Sequence, residues 1–157
     1  METTPGAPVK PLPIPTALRA PLRERPLLER MFVRLVGLGL SVVAYLLCLP
    51  WDLRNRPESP GSIDETTPVE TGGVLTLAVV LLLLAAYFGY RDRLLWPLPL
   101  VALPPVVLLF VSFSSHPAPD ASAWPIAWIF FSMLIFGGVL MVATMARRAA
   151  KRAAGQP

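Results

Sequence analysis

Residues 71–90 read TGGVLTLAVVLLLLAAYFGY, twenty positions without a charge, bounded by Glu70 and Arg91. A helix needs about 20 apolar residues to cross the hydrocarbon core of a bilayer. The run is continuous and Leu-rich, without the alternation of a half-buried strand. It therefore reads as a membrane-crossing helix and not as a strand of a β-barrel. Three more uncharged runs surround it: residues 94–115 (22 positions, between Arg93 and His116), 121–146 (26, between Asp120 and Arg147) and 35–51 (17, between Arg34 and Asp52). The shortest reaches spanning length once Met31, Phe32 and Val33 join it and Arg34 snorkels back to the headgroups. The pattern predicts an all-α integral membrane bundle of four transmembrane helices, at about residues 31–51, 69–90, 94–113 and 123–146. A Pro/Arg-rich, largely disordered tail (1–30) precedes the 31–146 bundle, and a basic tail (147–157) follows it.

Composition agrees. Of 157 residues, 54% are hydrophobic and 15% charged, against about 25% charged in an ordinary soluble domain. That balance excludes a soluble enzyme and, despite the net charge of +4, a nucleic-acid binder. The single cysteine, Cys48, excludes an internal disulfide and a multi-cysteine metal site. Leu47 before it is not the small residue a lipoprotein cleavage box requires. The first apolar run lies behind Arg19, Arg23, Arg25, Arg30 and Arg34, so it reads as a retained signal anchor and not a cleaved signal peptide.

The positions of the charges set the orientation. With four spans both ends lie on one side, together with the turn Arg91-Asp92-Arg93; that side carries +8 and the other −4. By the positive-inside rule both termini are cytoplasmic. The Ala/Leu/Pro/Arg-rich composition is that of a high-GC bacterial protein, which places the bundle in the plasma membrane, a bacterial inner membrane. Local signals fit this topology. Thr67-Pro68-Val69-Glu70 has the form of a capping box opening the second span, and Asp92 is placed to cap the third. Pro125 suits the first turn of the fourth, after Asp120 or Ser122. The four tryptophans, Trp51, Trp96, Trp124 and Trp128, fall near the expected interfaces, where indole rings settle.

The flanking segments carry weak signals. Pro5, Pro8 and Pro11 give a PxxPxxP spacing that suits either a polyproline II ligand or a stiffened tail. From Thr16 the tail alternates Leu and Arg, a pattern for lying on anionic inner-leaflet lipids. The acidic loop 52–70 holds Asp64-Glu65 without the ordered ligand spacing of a calcium loop, and reads as solvated. Ser114-Ser115-His116-Pro117-Ala118-Pro119-Asp120 contains the residue types of a catalytic triad, but adjacency is not convergence and no nucleophile elbow is present.

Functionally, the membrane interior is most informative for what it lacks. Ion paths, proton relays and gating charges usually leave ionisable residues inside the spans, and none lies in the middle of these four. Packing chemistry remains. Gly37, Ser41, Ala44 and Cys48 fall on one face of the first span, a small-residue stripe that admits a second helix closely. That stripe serves either the bundle itself or a partner. Gly137 and Gly138 offer a second point of close approach. Pro104-Pro105 should kink the third span and free the carbonyls of Leu100 and Val101, which then face either a cavity or neighbouring Ser and Thr hydroxyls.

The expectation is a non-enzymatic accessory or assembly subunit acting through helix–helix contacts, with no catalytic residue, cofactor or metal. Its partners would be the bilayer and a membrane protein or further copies of itself. The alternative is an oligomeric small channel or permease using the kinked third span, with Ser112, Ser132 and Thr144 as polar lining. A membrane enzyme ranks third. It would need Asp52, Asp64, Glu65, His116 and Asp120 to converge.

Overall fold

The computed structural model describes residues 22–60, 64–115 and 123–153. The described residues are mostly helical, with 78% of them in helices. Helix α1 runs Leu27–Cys48, α2 Thr71–Arg91, α3 Leu103–Ser115 and α4 Trp124–Ala153. Joined to the five-residue π-helical turn before it, α3 extends over Leu98–Ser115, and each of the four is then long and apolar enough to cross a membrane.

The described residues pair end to end in a way that fixes the helix directions. Gly37 meets Phe88 and Gly73 meets Cys48, so α1 and α2 are antiparallel. Ser41 bonds to Val101 and Ser112 to Trp51, so α1 and α3 are parallel. Gly138 lies against Leu82 and Gly89 against Ala143, so α2 and α4 are parallel, and they share the longest interface. One end of the bundle therefore gathers Arg34, Asp92 and Arg147; the other carries the acidic loop 52–70.

Several local readings are corrected. Within the stretch read as a tail, Leu22–Glu24 forms a 3-10 turn with Leu22 buried in the core, and α1 starts directly after Pro26. Pro26 suits that place because a helix start has no need of its missing N–H. Helix α2 opens at Thr71, with Glu70 in the cap position and no side-chain cap. The Thr67 hydroxyl instead accepts the Val69 N–H at 3.3 Å, closing a local turn. The acidic loop is not wholly irregular, since β1 (Arg56–Pro57) pairs antiparallel with β2 (Glu65–Thr66) in a short ribbon. Pro125 does sit in the first turn of α4; the suggested caps Asp120 and Ser122 lie outside the described residues.

The start of the third span has a clear cause. A proline ring displaces the carbonyl four residues before it, and two consecutive prolines do so twice. The backbone responds with the π-helical turn Leu98–Ala102, in which the Leu103 N–H reaches the Leu98 carbonyl. A π turn accommodates one extra residue and so widens the helix where the rings need room. Pro104 and Pro105 then occupy the first turn of α3.

Candidate functional site

The candidate site is the end of the bundle where the helices are joined by charge. Asp92 follows the last residue of α2 and its N–H closes the final turn onto the Phe88 carbonyl at 2.8 Å. A carboxylate there opposes the helix dipole, so it needs a cation. Arg34 of α1 supplies one in a two-pronged bond: Nε donates to Oδ2 at 2.8 Å and Nη2 to Oδ1 at 2.9 Å. The side chains are 8% and 1% exposed, so this is a buried pair and not a surface one. The guanidinium lies 3.6 Å from the centre of the Trp96 ring, a cation–π contact. Asp92 Oδ1 also accepts the Arg93 N–H at 2.8 Å, and Arg147 of α4 reaches the Asp92 carbonyl at 3.4 Å. Four segments of the chain thus meet on one acidic residue.

This arrangement overturns two readings from the sequence. Arg34 does not snorkel to the headgroups; it turns inward, because Asp92 offers a bidentate partner that water would otherwise have to replace. Asp92 does not cap the third span, since its carboxylate is committed to Arg34 and to the adjacent backbone.

The small-residue stripe of α1 is used within the bundle. The Phe88 ring rests on Gly37, where a Cβ would overlap it. Ser41 is fully buried and its hydroxyl donates to the Val101 carbonyl at 2.9 Å. That carbonyl is one of the two that Pro104-Pro105 should free, and the donor is a serine of the neighbouring helix. Ala44 is buried at the same seam, while Cys48 is half-buried at its end.

On α4 the expected close approach lies elsewhere. Gly138 makes only ordinary contact with Leu82, at 3.8 Å from its would-be Cβ, and Gly137 faces open space. The tight crossing is Gly89 of α2 on Ala143, where a Cβ on Gly89 would stand 2.6 Å from the Ala143 Cα. Ala85 and Gly89, four residues apart on α2, form the small-residue face that admits α4.

Two of the three hydroxyls expected as pore lining have local partners. The Ser112 hydroxyl donates to the Trp51 carbonyl, and Thr144 bonds its own helix at the Met141 carbonyl. Ser132, on α4, has a buried hydroxyl without a hydrogen-bond partner among the described residues. Trp128 is half-buried: its indole N–H donates to the Val106 carbonyl at 3.1 Å and its ring packs edge-on against Phe110.

At the acidic-loop end Asp52 accepts hydrogen bonds from the Arg54 side chain and backbone N–H, and from Arg56. These hold its carboxyl well below the usual carboxylate range. Asp64 and Glu65 are exposed on the ribbon, while His116 and Asp120 lie outside the described residues. Among the described residues no three His, Cys, Asp or Glu side chains are grouped to hold a metal ion. Comparison of the chain with protein families, with characterised proteins and with solved structures gives no match.

Proposed function

We propose that the protein is an accessory or assembly subunit of a membrane complex, working through helix–helix contact and not through catalysis. In this reading it sits in the plasma membrane of a bacterium, with the Arg34–Asp92 end facing the cytoplasm and anionic lipid.

One observation carries the proposal. Helix α4 is the longest helix, yet Val139 and Ala143 are its only buried residues among those described. Only 11% of its most apolar stretch is buried, against 28% for α1 and α2. Its free face runs through Phe130, Met133, Gly137 and Met141, all exposed, with Gly137 open to any approaching backbone. Flexible methionines with a glycine between them suit a partner helix. The bundle's own cohesion is supplied elsewhere, by the α1 seam and by Gly89, so this face is spare.

The channel reading has less support. It needs unpartnered carbonyls or hydroxyls along the third span. Val101 and Val106 carbonyls are taken by Ser41 and Trp128.

The test is purification from the native membrane in mild detergent, with total mass and mass spectrometry of what co-purifies. A stoichiometric second protein, lost on Gly137→Leu while the helical content stays, is the expected result. A solitary monomer, or interactions unchanged by Gly137→Leu, would sink the proposal. A pure homo-oligomer would shift the reading to the channel.

A further inference from the structure

Toward the acidic-loop end the parallel helices α2 and α4 line an apolar cleft of about 780 Å³. Gly89 on Ala143 holds the pair together beyond one end of it, and its walls run from Leu82 and Gly138 to Val74 and Phe131. Leu77 and Leu81 of α2, Ile135 and Val139 of α4, and Tyr45 and Leu109 line it, most of them core residues. Leu53, Thr67 and Val69, next to the β1–β2 ribbon, reach over its end.

The lining decides the occupant. Water needs two to four polar partners to stay in a cavity, and an apolar one remains dry. The volume is within the roughly 300–1,000 Å³ of ligand pockets. The lining helices are those read here as crossing the bilayer, so the medium beside the cleft is hydrocarbon. Segment 52–70 has Asp52, Glu58, Asp64, Glu65 and Glu70 against Arg54 and Arg56, and its net negative charge disfavours an anionic headgroup at the rim. Thr67 and Thr71 bring hydroxyls to that rim.

We infer that the cleft is a binding site for one acyl chain of a membrane lipid with a zwitterionic headgroup, the headgroup lying at the acidic-loop end. This inference rests on the membrane-spanning reading and is independent of whether α4 also meets a partner.

The test uses the full chain in nanodiscs of equal parts phosphatidylethanolamine and phosphatidylglycerol, released gently into a native mass spectrometer. The expected result is one phosphatidylethanolamine retained per chain. Ala78→Trp and Gly138→Leu, which fill the cleft from its two walls, should each lower retention by about tenfold, the equivalent of 1.4 kcal/mol. Leu83→Trp, which adds bulk on α2 away from the cleft, should leave it unchanged. Helical circular dichroism checks that each variant folds. A wild-type chain carrying no lipid would overturn the inference without recourse to any variant. So would folded cleft-filled variants that retain as much as wild type, or preferential retention of phosphatidylglycerol.

Discussion

The two ends of this bundle are held in different ways. At one end α1, α2 and α4 meet around charge: Arg34 is locked bidentate onto Asp92, Phe88 lies on Gly37, and Gly89 lies on Ala143. At the other end α1 and α2 still touch at Gly73 on Cys48, but α2 and α4 line an apolar cleft, and the charged groups form an exposed ribbon with Asp52 paired to Arg54 and Arg56. The contrast teaches where the chain keeps its rigidity. Apolar surface alone does not drive helices together in lipid, since the tails are as apolar as leucine. Close approach and buried polar bonds do; the acidic-loop end has Gly73 on Cys48 and the Ser112–Trp51 bond, while the basic end adds a buried ion pair and the α2–α4 crossing.

That comparison can be broken by substitution, and the largest effect is expected at the ion pair. Asp92→Ala leaves a buried guanidinium without its carboxylate, and removing one partner of a buried pair typically costs about 3–5 kcal/mol. The double variant Arg34→Met/Asp92→Leu should recover most of the loss, because no charge is then stranded. Unfolding in mixed detergent with sodium dodecyl sulfate measures both. Equal destabilisation by Asp92→Ala and by a control such as Asp64→Ala would remove the distinction between the ends.

Next comes the helix crossing. Gly89→Leu must push α4 away from α2, an overpacking cost of about 1–3 kcal/mol. The same change at Gly72, with nothing within 4 Å, should be nearly silent. A smaller loss, about 1 kcal/mol, is expected for Ser41→Ala, which strands the Val101 carbonyl. Ser41→Thr should retain much of the bond if its methyl fits.

The smallest effect belongs to the acidic loop. The Asp52 carboxyl has a depressed pKa in the folded protein, so whatever Asp52 contributes is present above the ordinary carboxylate value of about 3.9. It is lost as the pH falls further, through the folded value. Acidification should therefore loosen the ribbon, read as faster amide exchange at Glu58, while the helices keep their protection. Simultaneous loss of both would mean the ends are not independent.

The span pattern was legible because hydrophobic length is a local property of the chain. Residues 71–90 alone state a helix of membrane length, and α2 runs Thr71–Arg91. The consequence of Pro104-Pro105 was half legible. Proline chemistry says that the Val101 carbonyl is freed, but not that Ser41, sixty positions earlier, donates to it. The ion pair was invisible for the same reason. Arg34 and Asp92 are 58 residues apart, and seen singly each belongs at a headgroup or a cap. Gly89 was overlooked beside the more conspicuous Gly137-Gly138, although Ala85 and Gly89 carry a four-residue small spacing on α2. Close approach depends on which face a helix turns to its neighbour, and the spacing alone does not say.

The proposal that α4 offers its free face to a partner is tested most directly by photo-cross-linking in the native membrane. A photoreactive residue is placed at Met133 or Gly137 of α4, and at Leu75 of α2 as the reference exposed position. The expected result is a discrete protein adduct of one mass from both α4 positions and lipid adducts alone from Leu75. Lipid adducts alone from all three positions would contradict it.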